Sequence, residues 1–203
     1  IALSDTTFPK ISCNFIFKNI LIAVCCGFIH QKIKYFVYFM QFHYVNYSNQ
    51  ELAVVQELFE EYSRELGIDL CFQNFEQELQ TLSKVYAPPM GCIIILYHEQ
   101  QPAGCVALKP IGQGVCEMKR LYIRPDFRGF KYGKKLAHEL VSYAYKAGYS
   151  TMKLDTLTTL TDAIRLYRSM KFVETAPYVY NPLDNVLYFE LNLEDYFQSK
   201  LES

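Results

Sequence analysis

Residues 117–134 read EMKRLYIRPDFRGFKYGK and put a strand, a short basic loop and the start of a helix directly after one another. The apolar, β-branched and aromatic run at 121–123 predicts the end of a buried strand, which Pro125 stops. The loop then carries basic residues and glycines: Arg128, Gly129, Gly133 and Lys134. Because the first N–H groups of a helix lack partners and its dipole attracts negative charge, this order predicts a pyrophosphate site.

The composition fits one globular domain with, at most, an appendage. The chain has 203 residues, of which 51% are hydrophobic, and a formal net charge of −1. A chain of this length can bury a core of its own. Because no basic face dominates the sequence, we do not expect nucleic acid as a partner.

The seven cysteines are interpreted as free thiols rather than as bridges or metal ligands. Their number is odd, no C-x-x-C occurs and most of them lie in apolar runs. We therefore expect buried thiols in a reducing compartment, which favours a cytoplasmic protein. The four histidines are scattered along the chain, so no metal site is expected either.

Residues 1–39 differ from the rest, because no Asp or Glu occurs between Asp5 and Glu51. Their longest uncharged run, 19–31, is too short to span a bilayer, and the cleavage residues of a signal peptide are missing. Three interpretations stay open: an extra packed element, a membrane-surface or targeting segment, and an extension without a role of its own. The last places the functional domain at 40–203, and membrane binding is not expected.

From residue 42 onward, strand and helix patterns alternate. Ser48 and Glu51 have the spacing of a capping box, and apolar residues at intervals of three and four then predict a helix that ends near Gly67. Strands are expected at 42–47, 91–98, 104–109, 151–155, 173–175 and 187–193, and further helices at 75–84, after Gly133, around 163–170 and after Glu194. This order predicts an α+β domain with a mixed, mostly antiparallel sheet flanked by helices.

A second motif lies at 154–172 and reads LDTLTTLTDAIRLYRSMKF. Its helical part, 163–172, resembles the pattern Ala-Ile-x-Leu-Tyr-x-x-x-Gly-Phe of the GNAT superfamily, the acetyl-CoA-dependent N-acetyltransferases. The loop at 128–133 is similar to the Gln/Arg-x-x-Gly-x-Gly/Ala phosphate loop of that family. The resemblance covers 42–193 and implies the GNAT fold, with acetyl-CoA in a cleft beside the central strand.

Three positions depart from the family pattern. Lys131 replaces the middle glycine of the phosphate loop, Lys171 replaces the glycine of the second motif, and Leu160 stands where many members have an Asn. Contacts that depend on those residues are therefore in question. The cofactor-binding residues that the resemblance implies are Leu121, Tyr122 and Ile123 through their main chain, and Arg128, Gly129, Phe130, Lys131, Tyr132, Gly133 and Lys134.

The resemblance also implies catalytic roles. Glu117 occupies the position of a base that takes the proton of the acceptor amine, directly or through water; alternatively it makes a structural ion pair with Lys119, Arg120 or another basic residue. Tyr167 occupies the position of the acid that protonates the leaving thiolate; alternatively it is a core aromatic. A backbone N–H near Leu121 would meet the oxyanion.

A covalent route through Cys116 is disfavoured, because strand alternation turns this side chain away from the face of Glu117. The acceptor would be an amine of a small molecule or a peptide. Tyr86, Tyr178 and Tyr180 either line its pocket or are surface aromatics, and Glu60, Glu61 and Glu65 either attract it or form a solvated helix face. The alternative function is a domain that binds acyl-CoA without turnover, and a homodimer is possible, as dimers are common in the family.

Overall fold

The computed structural model describes residues 40–68 and 74–201. The three interpretations of residues 1–39 lie outside the described residues, as do Cys13, Cys25, Cys26 and Cys71. Within the described ranges, every helix is too short or too polar to span a bilayer. Cys92, Cys105 and Cys116 are free and buried, as the sequence predicted.

The described residues form one seven-stranded sheet. Its strands are β1 (Met40–Tyr44), β2 (Cys92–His98), β3 (Gln101–Gly112), β4 (Val115–Ile123), β5 (Thr151–Leu157), β6 (Val173–Glu174) and β7 (Val186–Asn192). The strand order is β1-β2-β3-β4-β5-β7-β6. Among the strands of the described residues, only the β4–β5 pair is parallel. The predicted mixed, mostly antiparallel sheet is confirmed.

Helices cover both faces of the sheet. In the ranges 40–68 and 74–201 they are α1 (Asn49–Leu66), α2 (Phe75–Gln80), α3 (Leu82–Val85), α4 (Tyr132–Lys146), α5 (Thr161–Ser169) and α6 (Leu193–Leu201), with a 3₁₀ turn at Pro125–Phe127. On β2, Ile94 and Leu96 belong to the core that includes α4, whereas Ile93 and Ile95 belong to the core under α1. Two covered faces explain why this strand is apolar throughout.

Helix α1 begins and ends where the capping signals predicted. The Ser48 hydroxyl accepts a hydrogen bond of 3.4 Å from the backbone N–H of Glu51. Gly67 ends the helix in the left-handed conformation, at φ 64°. The region 75–84, by contrast, is two short helices rather than the single one predicted. Thr81 separates them at φ −126°, with its hydroxyl bonded to the carbonyl of Gln77.

The β4–β5 pair opens along its length. The two strands are in register at three positions only, from Val115 and Thr151 to Glu117 and Lys153. Beyond Glu117, β4 stays paired with β3 and β5 stays paired with β7. A bulge in β4 marks the point of separation, because the β3–β4 register shifts there and Arg120 has a φ of 56°. The sheet therefore contains a gap beside the central strand.

Candidate active site

A cleft of ≈ 430 Å³ lies between the end of β4 and the start of α4; we call it the β4–α4 cleft. It contains eight of the ten residues that the sequence placed at the cofactor: Leu121, Tyr122, Ile123, Arg128, Gly129, Lys131, Tyr132 and Gly133. The other two do not line it. Phe130 stacks on Tyr132 with ring centroids 5.3 Å apart, and Lys134 is exposed on α4.

Arg128 lies at the mouth of the β4–α4 cleft and is tied to its surroundings. Its Nε donates to the carbonyl of Ile123 at 3.1 Å. Its Nη2 bonds both carboxylate oxygens of Glu65 on α1, at 2.5 and 2.6 Å. Because both side chains are nearly half exposed, a bound anion can compete with Glu65 for the guanidinium.

The start of helix α4 lines this cleft, with Lys131, Tyr132 and Gly133 in its wall. Its N-cap residue, Lys131, has a φ of 59° and makes no side-chain cap hydrogen bond. Gly129, two residues earlier, has a φ of 91°. Lys131 therefore adopts the left-handed conformation that a glycine would take at this position, and its backbone N–H is kept.

Lys171, at the end of α5, is likewise a lysine in the left-handed conformation. Its φ is 71°, and its backbone N–H bonds the carbonyl of Arg168 at 3.1 Å. A left-handed residue at this place ends a helix, a role that usually falls to glycine. Both lysines thus adopt a left-handed conformation of the kind that glycine favours. Leu160, the third departure, is the N-cap of α5 and supplies no side-chain hydrogen bond.

A second, smaller cavity of ≈ 70 Å³ fills the gap between β4 and β5; we call it the junction cavity. It shares part of its lining with the β4–α4 cleft: Tyr62, Leu66, Leu121, Leu160 and Ala163. Its polar lining includes Lys119, Asp155, Asn181 and the buried Tyr167. The two spaces therefore adjoin along β4, from the Arg128 loop to the gap in the sheet.

Tyr167 lies on α5 with its ring in the core and lines the junction cavity. Its ring contacts Phe172 and Phe189, with centroids 5.8 and 6.2 Å away. Burial, together with Tyr62 and Asp155, raises its pKa above the ordinary value of a tyrosine. The hydroxyl therefore carries its proton at neutral pH. The two interpretations of Tyr167, core aromatic and proton donor, are compatible in this position.

Glu117 is 4% exposed and faces a polar cluster. Its Oε1 accepts a hydrogen bond of 2.8 Å from the hydroxyl of Tyr178, and the ammonium of Lys119 lies 3.8 Å from the same oxygen. Of the cations considered for the alternative, a structural ion pair, Lys119 is near Glu117, while Arg120 pairs with Glu78. Glu117 itself lines neither the β4–α4 cleft nor the junction cavity.

Three residues of this cluster were missed at the sequence level: Lys119 as a cavity residue, Asp155 and Asn181. The ammonium of Lys119 lies 3.8 Å from Oδ1 of Asp155. Asn181 donates to the other oxygen of Asp155 at 3.1 Å. The only local signal was Asp155 within the apolar strand 151–157, where an acidic residue facing the core needs a partner.

Arg120 forms a buried pair with Glu78 of α2. Its Nε and Nη2 bond the two carboxylate oxygens of Glu78 at 3.1 and 2.6 Å. The hydroxyl of Tyr86 donates to Glu78 at 2.6 Å. Burial favours a raised pKa for Glu78, but the hydrogen bonds and charge of Arg120 outweigh burial, and the pKa is lowered. The pair fixes the bulge of β4 to α2.

A third cavity of ≈ 210 Å³ lies between α2, α3 and the middle of the sheet; we call it the lysine cavity. Its lining comprises Asn74, Gln77, Glu78, Thr81, Val85, Tyr86, Lys109 and Lys119. Lys119 is also part of the junction cavity, so its side chain lies between the two spaces. The lysine cavity thus borders the junction cavity at Lys119, past the gap in the sheet.

The residues considered for the acceptor pocket have different surroundings. Tyr86 is fully buried, Tyr178 is held by Glu117, and Tyr180 is 85% exposed. On α1, Glu61 binds Arg124 and Glu65 binds Arg128, whereas Glu60 is exposed. Two of the three glutamates therefore already have cationic partners.

Cys116 lies in the core that includes α4, on the opposite face of β4 from Glu117, as strand alternation predicted. Its thiol bonds the carbonyl of Thr151 at 3.6 Å. Burial raises the pKa of this thiol to about 12. A buried, protonated thiol on the wrong face disfavours the covalent route.

The comparisons agree with the geometry. The sequence model of the acetyltransferase (GNAT) family matches residues 52–172. An uncharacterised N-acetyltransferase of Schizosaccharomyces pombe is 47% identical over 146 residues, which cover 71% of this chain and 90% of the relative. Another from Dictyostelium discoideum is 32% identical and covers 71% of this chain and 96% of the relative.

Solved structures show the same fold. An acetyltransferase of Streptococcus agalactiae has a TM-score of 0.64 and 17% identity, covering 75% of this chain and 98% of that one. A Salmonella typhimurium protein solved with its cofactor acetyl-CoA has a TM-score of 0.54 and 15% identity, covering 76% and 94%. Together with the family match, these findings show that the chain belongs to the GNAT family and is an acyltransferase.

Proposed function

We propose that this enzyme transfers the acetyl group of acetyl-CoA to a primary amine of a small molecule or a peptide, by direct attack in a ternary complex. The observation that carries the proposal is the separation of β4 from β5 beyond Glu117, beside which two adjoining cavities extend from the Arg128 loop to Tyr167. Bound acetyl-CoA would supply the acetyl group as an activated thioester.

The residues present fit the pyrophosphate of this cosubstrate. Arg128 provides a cation, and the first turn of α4, whose N-cap residue Lys131 makes no side-chain cap hydrogen bond, provides N–H donors. Beyond Glu117, the edge of β4 that faces β5 has no strand partner among the described residues, so backbone groups at 121–123 can pair with the amides of an extended pantetheine arm. The Lys131 departure leaves these donors in place.

Two groups of the chain would stabilise charge during the transfer. The bulge at Arg120 precedes Leu121, whose backbone N–H is our candidate donor to the developing oxyanion. Tyr167 would protonate the departing sulfur, and its raised pKa keeps the proton available at neutral pH. The C–N bond would form first and give a tetrahedral oxyanion, and the C–S bond would break as this adduct collapses, with the proton of Tyr167 passing to the sulfur.

The amine must lose a proton, and two carboxylates can receive it. Glu117 remains our first candidate, acting through water or through the hydroxyl of Tyr178, because that hydroxyl lies on its Oε1. Asp155 lines the junction cavity directly and is the second candidate. If Glu117 is the base, Glu117→Gln should lower kcat more than Asp155→Asn does.

The first experiment measures acetyl-CoA binding by calorimetry, followed by thiol release with a panel of amines. We expect Arg128→Ala to weaken binding by about tenfold, as for loss of a charge-assisted contact. Arg64→Ala, an exposed arginine of α1, is the matched control. Absence of binding by the wild type would contradict the proposal.

Thiol release separates turnover from binding alone. Tyr167→Phe keeps the ring in the core and removes only the hydroxyl, so it should retain binding and lose most of the turnover. Binding by the wild type without acetylation of any amine would instead support the alternative, a domain that binds acyl-CoA as a sensor.

A further inference from the structure

The lysine cavity, on the side of Glu117 away from the Arg128 loop, contains two lysines. Glu117 and Lys119 project from the same face of β4, since they are two residues apart. Lys109 of β3 is the cross-strand neighbour of Glu117 in the register of the sheet. Lys109 and Lys119 both line the lysine cavity. The proposed base is therefore flanked by two cations on the side away from the Arg128 loop.

The ammonium of Lys119 lacks a close acceptor among the described residues. Its nearest carboxylate oxygens, on Glu117 and Asp155, are both 3.8 Å away, and its side chain is 14% exposed. An ammonium has three donors, and a buried charge is costly unless its donors are used. The side chain thus lies between the junction and lysine cavities with hydrogen-bonding capacity to spare.

The carboxylates around these lysines have closer partners than Lys119. Glu78 is bonded by Arg120 and Tyr86, and Asp155 by Asn181. Lys109 is half-buried and forms no ion pair within 40–68 and 74–201. The remaining polar side chains of the lysine cavity are uncharged: Asn74, Gln77 and Thr81. An anionic ligand group therefore fits this cavity better than a second cation does.

We propose that the acceptor is an amine that also carries a carboxylate a few atoms away, as in a free amino acid. The inference deepens the proposed function and rests on it. The amine lies beside Asp155 in the junction cavity and reaches Glu117 through water or the hydroxyl of Tyr178, and the carboxylate is bound by Lys119 with support from Lys109. A polyamine is disfavoured, because its second ammonium would lie beside the ammonium of Lys119.

The test compares acceptors that carry a carboxylate beside the amine with acceptors that lack it. Free amino acids with small, aromatic and acidic side chains are assayed beside their amides and their decarboxylated amines, with spermidine included. We expect kcat/KM for the amino acids to exceed that for the amides by about 10- to 100-fold, as for a hydrogen bond to a charged group. The lower amine pKa of an amide gives it more free base, so it is a stringent control.

Variants assign the preference to the lysines. In Lys119→Gln, kcat/KM for an amino acid should fall to about the value for its amide, so that the ratio of the two approaches one. Lys109→Gln should lower this ratio in part. Lys84→Gln changes an exposed lysine of α3 and should leave the ratio unchanged. Acetyl-CoA binding and melting temperature, measured on each variant, verify that the fold is intact.

Two failures can be told apart. The acceptor class is wrong, and the proposed function stands, if kcat/KM for amides, decarboxylated amines or spermidine equals that for amino acids. The same conclusion follows if Lys119→Gln keeps the wild-type ratio of kcat/KM between amino acid and amide. If no amine is acetylated although acetyl-CoA binds, the proposed function fails and the acceptor class fails with it.

Discussion

The hydroxyl of Tyr178 donates a hydrogen bond of 2.8 Å to Oε1 of Glu117, although the two residues are 61 positions apart. The ring of Tyr178 packs edge-on against Tyr188, with centroids 5.6 Å apart, and the ammonium of Lys153 lies 5.4 Å from its centre. The loop between β6 and β7 thereby orients the carboxylate of the central strand.

Removing this hydroxyl should impair the chemical step more than binding. In Tyr178→Phe the ring contacts remain, but Glu117 loses its hydrogen-bond donor, so we expect kcat to fall about tenfold, as for one bond to a charged group. The KM for acetyl-CoA should not change. Steady-state kinetics measures both, with Tyr180→Phe, an 85% exposed tyrosine of the same loop, as the control. A kcat equal to that of the wild type would show that Tyr178 has no part in the reaction.

Glu65 should act as a competitor for the pyrophosphate. It holds the guanidinium of Arg128 at 2.5 and 2.6 Å, so a bound phosphate has to replace it. We expect Glu65→Gln to tighten acetyl-CoA binding about two- to fivefold, the value of an exposed ion pair. Calorimetry at low salt checks this, and Glu60→Gln is the control on the same helix. Weaker binding by Glu65→Gln would mean that Glu65 positions Arg128 instead.

Replacing either left-handed lysine by glycine should stabilise the fold. Lys131→Gly and Lys171→Gly relieve the steric cost of a Cβ at positive φ, so we expect each to raise the free energy of unfolding by about 0.5–1 kcal/mol. Alanine at the same positions keeps the Cβ and serves as the control. Urea denaturation gives the values.

The same Lys131→Gly variant tests what the side chain contributes to the cofactor. If only the backbone N–H of residue 131 is used, acetyl-CoA binding should stay within about twofold of the wild type, since the helix start still supplies the donors. A larger loss would show that the lysine ammonium reaches a phosphate.

Glu78 should contribute stability that depends on pH. The pKa of Glu78 is lowered in the folded protein, so its contribution is complete above its unfolded value, about 4.3, and is lost as the pH falls through the folded value. We expect Glu78→Gln to cost about 3 kcal/mol at neutral pH, because it leaves Arg120 buried without its counterion. The difference in free energy of unfolding between Glu78→Gln and the wild type should become smaller below about pH 4.

Urea denaturation across this pH range measures the effect, and Glu76→Gln, on the exposed side of α2, is the control. A loss of stability that is the same at pH 3 and pH 7 would contradict the assignment to the ion pair.

The parts of the site that could be predicted from the sequence are local in the chain. The Arg128 loop and the start of α4 follow each other directly, so glycine, proline and helical spacing were sufficient to place them. The capping box at Ser48 was likewise readable, because a cap depends on residues three positions apart. Lys131 could be placed but not oriented, since no rule for lysine predicts a φ of 59°.

The remaining features depend on contacts between distant segments. The Tyr178–Glu117 and Glu78–Arg120 bonds each join residues more than 40 positions apart, and no periodicity connects their elements. The bulge at Arg120 was equally hidden, because the strand pattern of 115–123 continues through it. The division of 75–84 into two helices comes from a single threonine whose hydroxyl bonds the backbone.

The separation of β4 from β5 also has a mechanical consequence. The two parts of the sheet, β1 to β4 and β5 to β7, are joined in this ladder by only three residue pairs. A ligand that lies in the gap and touches both strands would act as a brace between them. Amides of β4 and β5 on either side of the gap should then exchange hydrogen more slowly once acetyl-CoA is bound, whereas those of β2 should not respond.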